Sequence, residues 1–487
     1  MKSFTLFAAF TLIGFVLSPT ARAVSPPPDG GYPGGNTAEG TAALRDLTTG
    51  TFNTAVGNFS LTLNTEGDSN TGVGASTLRN NTTGTDNTAV GADALNRNTS
   101  GGGNTANGSE ALKGNTTGTG NTAVGAGALL SNTEGIGNTA IGALALTANI
   151  GNGQTDPETS EGALNTAVGS GTLAGNRTGN VNTAVGAAAL ALNDGDFNTA
   201  VGGDAMSGNT TGHDNTAVGS GALNTNTEGF GNTVVGGDAM SDNTTGFSNT
   251  AIGTSALAFN TDGGLNTAIG NEALFRNTAG HNNTAVGNGA GGNITSGNGN
   301  VAVGVHAGTL VTTADDVICI GHPGLNVSHT CFIDNIFGNG TSNGAAVFIM
   351  SNGRLGTVTS SRRFKDEIKP MERASETLFA LKPVTFKYKK EIDPVGIAQF
   401  GLVAEEVEKV NPDLVVRGKD GKPYSVRYEQ VNAMLLNEFL KEHQKVQKLE
   451  SALAAVEKRL EEQDAKIERV NDKVELNKVA PQTVLNN

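Results

Sequence analysis

Large apolar side chains recur along the first two-thirds of this chain in a fixed register. A unit reading Asn-Thr-Ala-Val-Gly begins at residues 36, 53, 70, 87, 104, 121, 138, 165, 182, 198, 215, 232, 249, 266, 283 and 300. Of the 15 intervals between these 16 copies, 13 are 17 residues, one is 27 across an insertion at 154–162, and one is 16. Position 1 of the unit is always Asn and position 5 always Gly. Position 4 is Val or Ile in 14 copies, with Glu39 and Asn107 the exceptions. Position 9 is Leu or Met in 14 copies, from Leu44 to Leu274, and Gly291 and Gly308 in the last two. Thr-Ala-Val predicts a short strand in which Thr and Val share one face and Ala takes the other. Val and the later Leu are the only regular large apolar residues, so this reading points both inward and Ala outward. Thr then faces inward with Val, which argues against an ice-binding Thr face. The invariant Gly suits a positive φ or a close backbone approach. The first Asn can stack rung on rung with its amides bonded along the stack. The later Asn-Thr-Thr-Gly or Asn-Thr-Glu-Gly reads as a turn. One unit cannot bury its apolar pair alone, but stacked units can. Residues 36–305 are therefore expected to form a parallel β-solenoid, a mainly β fold, roughly 75 Å long at about 4.8 Å per rung.

A second period appears near the C-terminus. Val446, Leu449, Leu453, Val456, Leu460, Gln463, Ile467, Val470 and Val474 alternate spacings of three and four. This is an a/d seam and predicts a coiled coil over 446–478; Leu and β-branched Val in those places suit three strands better than two. Between the two patterns lie a β-rich connector over 306–359, with short apolar runs and Gly/Asn turns, and a mixed α+β segment over 360–445.

Composition sharpens this picture. Gly makes up 69 of 487 residues, about twice the usual share, with no G-X-Y period, so collagen is excluded. Aromatics are 5%, Trp is absent, and charged residues are 16%. Residues 36–305 hold 6 basic and 20 acidic residues, whereas 351–487 hold 24 and 22. The net charge of −14 gives no support to nucleic-acid binding. No acidic cluster has a Ca²⁺-loop spacing, and neither metal nor cofactor is expected. Two large apolar side chains per rung make a thin core that barely offsets the ordering entropy, so a homotrimer is expected to supply further burial. Lys2, an apolar run over 4–17 and Ala21-Arg22-Ala23 read as a signal peptide over 1–23, followed by a flexible leader over 24–35. The chain is thus expected to be exported, extracellular or at the cell surface, with no membrane span in the mature protein. Cys319 and Cys331 are candidates for a disulfide in an exported chain, with buried free thiols as the alternative.

The repeat resembles the head repeats of trimeric autotransporter adhesins, whose unit reads Asn-Ser-Val-Ala-Ile-Gly. Thr, Ala, Val and Gly fall here where those heads have Val, Ala, Ile and Gly, over about 270 residues. The resemblance implies a parallel β-roll associated as a trimer. The unit is longer here, and the chain ends in a coiled coil rather than a membrane barrel. From Gly356 the sequence GTVTSSRRFKDEIKP is followed by ALKPVTFKY at 380–388, FGLVAEEV at 400–407, PDLV at 412–415 and VRY at 426–428. This order resembles the intramolecular chaperone domain of endosialidase tailspikes, a self-cleaving serine peptidase. That family carries a Ser followed five residues later by Lys, with Arg at the third place. Ser360, Arg363 and Lys365 match. The resemblance implies cleavage at Thr359–Ser360, with Ser360 the nucleophile, Lys365 its base and Arg363 in support. Ser361 is a second serine but breaks the spacing. Lys365 beside Asp366 and Glu367 can equally be a solvated charge.

These readings combine as an exported trimeric fibre whose C-terminal chaperone drives trimerisation and then cuts itself away. A surface adhesin with an uncleaved C-terminal domain, binding a surface or glycan ligand through the solenoid, is the second reading. A phage tail fibre is the third, and the signal peptide argues against it.

Overall fold

A computed structural model describes residues 32–154, 161–337, 345–350 and 352–477. The signal peptide at 1–23 and most of the leader lie outside the described residues. The chain divides into two compact units, residues 1–339 and 340–487.

The first unit is a parallel β-solenoid. Each rung contributes one three-residue strand, from β1 (Thr37–Glu39) and β2 (Thr54–Val56) to β16 (Val301–Val303), β17 (Ile318–Ile320) and β18 (Cys331–Ile333). Every strand pairs in parallel with the next in sequence, so that Thr54 lies beside Thr71, Ala55 beside Gly72 and Val56 beside Val73. The sheet extends two strands beyond the sixteenth repeat, through Ile318 paired with Val301 and Cys331 paired with Ile318.

The facing of the strands is the reverse of the sequence expectation. Ala at position 3 is fully buried, as at Ala55, Ala89, Ala123 and Ala217, and Val at position 4 lies on the outer face. Thr at position 2 shares that outer face, so the parity argument against an exposed Thr column falls. The reason is the narrowness of the rung. Leu or Met at position 9 is fully buried and reaches beneath the strand, beside a second Ala at position 8. Two alanine methyls and one leucine fill the cross-section of most rungs, and the single inward Val at position 3, Val234, stands in a rung whose position 9 is the more adaptable Met240. The second rung shows this volume being conserved. Ser60 replaces the Ala of position 8, the next strand carries Gly72 in place of Ala, and the Ser60 hydroxyl donates to the Gly72 carbonyl at 3.0 Å. A Cβ on Gly72 would stand 2.6 Å from Ser60 Oγ.

Two columns of buried Asn line the remaining interior. Asn53 Nδ2 donates to Asn36 Oδ1 at 3.1 Å and to the Gly67 carbonyl at 2.8 Å, and the Asn53 backbone N–H donates to the same Asn36 oxygen at 2.8 Å. The position-1 column thus bonds along the stack as its sequence suggested. A second column stands at position 12, where the sequence pattern predicts only a turn. Asn81 Nδ2 donates to Asn64 Oδ1 at 2.7 Å and to the Gly84 carbonyl at 2.9 Å, and this pattern repeats to Asn277. Both protons of most of these amides are used, which is what permits so many buried polar side chains. The position-5 glycines combine both features expected of them. Gly57 has φ 135°, and a Cβ there would lie 2.3 Å from the Gly74 carbonyl oxygen of the next rung.

The cysteines do not pair. The register sets Cys331 beside Ile318 and Cys319 beside Phe332, so alternation turns the two thiols to opposite faces. Both are free; Cys319 is buried, which raises its pKa through desolvation, and Cys331 is exposed.

The second unit is small and mixed. It contains the antiparallel pairs β19 (Val347–Ile349) with β20 (Leu355–Thr357), β21 (Val384–Phe386) with β22 (Gln399–Gly401), and β23 (Val415–Arg417) with β24 (Pro423–Val426). A short helix α1 (Ala404–Val410) and a 49-residue helix α2 (Tyr428–Leu476) complete it. Its core is Val407, Leu414, Val415, Val426, Val431 and Met434. Helix α2 begins at Tyr428, ahead of the heptad stretch, because Val431 and Met434 use its first turns to pack on the unit's own core. No described helix is long and apolar enough to cross a membrane.

Candidate functional site

The proposed dyad sits on a short turn before the first long 3-10 segment of the second unit. Ser361 is extended (φ −65°, ψ 141°), Arg362–Phe364 form one 3-10 turn, and Lys365 is extended again (φ −129°, ψ 131°). The Phe364 N–H donates to the Ser361 carbonyl at 3.0 Å and the Lys365 N–H to the Arg362 carbonyl at 3.1 Å. This turn folds the chain back so that side chains five apart meet. Lys365 Nζ donates to Ser360 Oγ at 3.1 Å. Ser361 lies inside the turn and makes no such contact with Lys365 among the described residues. The Arg363 guanidinium lies 4.5 Å from the centre of the Phe364 ring, a cation–π contact. Thr359, Ser360, Arg363 and Lys365 are all exposed.

The chemistry available to such a pair is defined. A serine hydroxyl becomes a nucleophile when a base within hydrogen-bond reach takes its proton, and a lysine serves as that base in a dry setting. The geometry supplies the reach. The dry setting is not supplied by one copy of the chain.

A second polar cluster, not anticipated from the sequence, anchors the segment that follows. Ser375, on the 3-10 helix Glu372–Ala380, is buried and donates a short hydrogen bond to Glu438 Oε1. Asn437 Nδ2 donates to Ser375 Oγ at 2.6 Å, and Lys441 Nζ to Glu438 Oε1 at 2.6 Å. The Lys441 ammonium, followed by the Ser375 hydroxyl, holds the Glu438 carboxyl below the usual carboxylate range. Asn437, Glu438 and Lys441 lie within two turns of α2, a spacing readable in sequence. Their partner is 62 or more residues away, and nothing local points to it. With Lys441 paired to a carboxylate, this cluster clamps one element to another and offers no free base.

The described residues contain no group of three or more His, Cys, Asp or Glu placed to hold a metal ion. Residues 360–416 match the model of the Peptidase_S74 family, described as chaperone of endosialidase. The match begins at Ser360, the first residue of the dyad. Neither a curated protein nor a solved structure matches the chain.

Proposed function

We propose that the protein is an exported, homotrimeric fibre whose C-terminal unit brings three chains together, supports folding of the solenoid, and then releases itself by cutting Thr359–Ser360. The observation that carries the reading is the chaperone match on a unit that leaves many large apolar side chains exposed in one copy. Phe379, Phe400, Tyr424, Leu435, Leu436, Phe439 and Leu440 are exposed, as are the heptad residues Val446, Leu449, Leu453, Val456, Leu460, Ile467, Val470 and Val474. Large apolar exposure on this scale marks an association surface. Long repetitive parallel strands slip register easily, and a terminal clamp gives three chains a common start.

In the proposed cleavage, the Lys365 amine takes the Ser360 hydroxyl proton and Oγ attacks the Thr359 carbonyl carbon. The C–N bond breaks as the Ser360 nitrogen regains a proton, leaving an ester that water hydrolyses. Attack on the adjacent carbonyl needs no substrate recruitment. Because both groups are exposed in a single chain, the reading makes assembly the step that dries and activates the dyad. In the Ser360→Ala variant the reading expects loss of a fragment starting at residue 360 on a denaturing gel, with oligomer formation kept. A fragment of the same size from that variant contradicts the dyad.

The adhesin alternative keeps the same rod but leaves the C-terminal unit attached. It predicts an intact chain in the secreted protein and binding of the rod to cells or glycans.

A further inference from the structure

Position 16 of each rung lies on the turn just before the next strand. In most rungs it holds a small or polar residue, such as Thr51, Asp68, Thr85 or Thr119. In five consecutive rungs it holds His213, Phe230, Phe247, Gly264 and His281. The first three rings form a ladder: His213 and Phe230 stack at 5.2 Å between centroids and Phe230 and Phe247 at 5.4 Å, each pair inclined by 11°. The solenoid does not require these rings. The Ser69 N–H donates to the Thr51 carbonyl and the Ser248 N–H to the Phe230 carbonyl, both at 2.9 Å, so the rungs join alike with Thr or Phe in this place. The ladder breaks at Gly264. With no side chain at that height, Phe247 and His281 face each other at 6.5 Å, splayed by 44°. His281 is fixed there, because its Nδ1 accepts the Gly264 N–H at 2.8 Å. Stacking covers both faces of Phe230; at the break, one face of Phe247 has no parallel neighbour.

Charge identifies the occupant. Residues 178–275 hold nine Asp and Glu and neither Lys nor Arg. Five of the seven Phe of residues 36–305 fall in the same stretch, so rings and uncompensated carboxylates coincide. Exposed carboxylates stand close to the column: Asp214 follows His213, Glu228 precedes Phe230 by two residues, and Asp262 precedes Gly264 by two. Elsewhere the rod covers a turn Phe with a cation of its own, for Arg79 lies 5.2 Å from the centre of the Phe59 ring. Phe247 has no such cation among the described residues. A guanidinium both stacks on an aromatic face and pairs with a carboxylate, which is the combination offered here. A neutral sugar has no use for the excess of carboxylates. An acidic ligand, or the same acidic edge of another copy, is repelled by it.

We infer that the broken ladder at Gly264 is a docking site for an arginine-bearing segment of a cationic protein. The guanidinium packs on Phe247 beside His281 and pairs with Asp262, and the surrounding carboxylates draw the partner to this part of the rod. The site depends neither on cleavage at Ser360 nor on the number of chains. It occurs once per chain, because the other rungs lack either the rings or the gap between them.

Fluorescence anisotropy of a dye-labelled oligoarginine peptide titrated with the full chain tests it. One variant is Phe247→Thr, which installs the residue that Thr85 and Thr119 supply at this position. The other is Asp262→Asn, which keeps the shape and removes the charge. The peptide is expected to bind the unaltered chain, about tenfold more weakly after Phe247→Thr and about threefold more weakly after Asp262→Asn. Oligolysine of the same length is expected to bind the unaltered chain less tightly than oligoarginine. Unchanged affinity in either variant, with folding checked by circular dichroism, assigns the attraction to diffuse charge and overturns the site. If Phe247→Thr does not fold, Asp262→Asn decides alone. Absence of binding to the unaltered chain, or equal affinity for oligolysine, overturns the arginine-bearing partner. So does Phe247-dependent binding of a neutral oligosaccharide in place of the peptide, which would give the ladder to a sugar.

Discussion

At Gly291 and Ile294 the repeat exchanges one way of filling its interior for another. Rungs from the second up to that of Leu274 place Leu or Met at position 9 and Asn at position 12; here Gly291 takes the first place and Ile294, fully buried, the second. A Cβ on Gly291 would lie 3.1 Å from Ile294 Cδ1 and 3.0 Å from Leu274 Cδ2, so the space is already occupied. The exchange ends the second Asn column and leaves Asn277 Oδ1 buried without a donor. Gly291→Leu alone should overpack by about 1–3 kcal/mol, and Ile294→Asn alone should open a cavity costing about 2–4 kcal/mol. The double variant restores the common rung and should recover most of both losses in a denaturant-unfolding cycle. Strict additivity would contradict the account. Within the column, Asn226→Leu orphans Asn209 Oδ1 and removes the acceptor of Asn243 Nδ2. A loss of about 2–4 kcal/mol is expected by thermal unfolding, whereas no change would show that the ladder does not contribute. Sequence showed the Gly and first Asn roles directly, because each has a narrow set of physical uses. Size alone points the position-4 Val inward, but the space beneath the strand is filled by the Leu or Met five residues later. The second Asn column was missed because a buried stacked Asn and a turn Asn look alike in one copy.

The elements of the second unit depend on polar as well as apolar contacts. The 3-10 helix Glu372–Ala380 is held to α2 through Ser375, Asn437, Glu438 and Lys441. The Glu438 carboxyl is held below its ordinary range, so its contribution is present above the unfolded carboxylate pKa and disappears as pH falls through the lower folded one. Acid unfolding of the unit, followed by circular dichroism, should therefore be less steep in the Glu438→Gln variant. An unchanged acid limb would mean that the cluster does not hold this helix. The heptad half of α2 was legible from its period, which is insensitive to tertiary context. Its start at Tyr428 is not, because only Val431 and Met434 of its first turns pack on the unit's own core and they do not continue the heptad spacing. The Ser360–Lys365 approach was suggested only by family likeness; a spacing of five belongs to no regular helix or strand face, and the single 3-10 turn between them brings it about.

On the scale of the whole molecule, one repeated interior and one uncovered surface point to the same assembly. The solenoid encloses mainly Ala, Leu and Asn and leaves the position-4 Val and Ile outside; the C-terminal unit leaves its heptads and Phe379, Phe400 and Phe439 outside. In the proposed trimer both would be completed by further copies of the chain. Self-release at Ser360 would then leave a rod whose chains cannot readily find their starting register again, a form of kinetic stability. The central claim is that the C-terminal helix assembles three chains, and sedimentation equilibrium of the uncleavable Ser360→Ala full chain measures it most directly. The account predicts three times the chain mass, reduced to a single chain by adding Leu449→Asp and Leu453→Asp. A monomer before those changes, or a trimer unaffected by them, would contradict it.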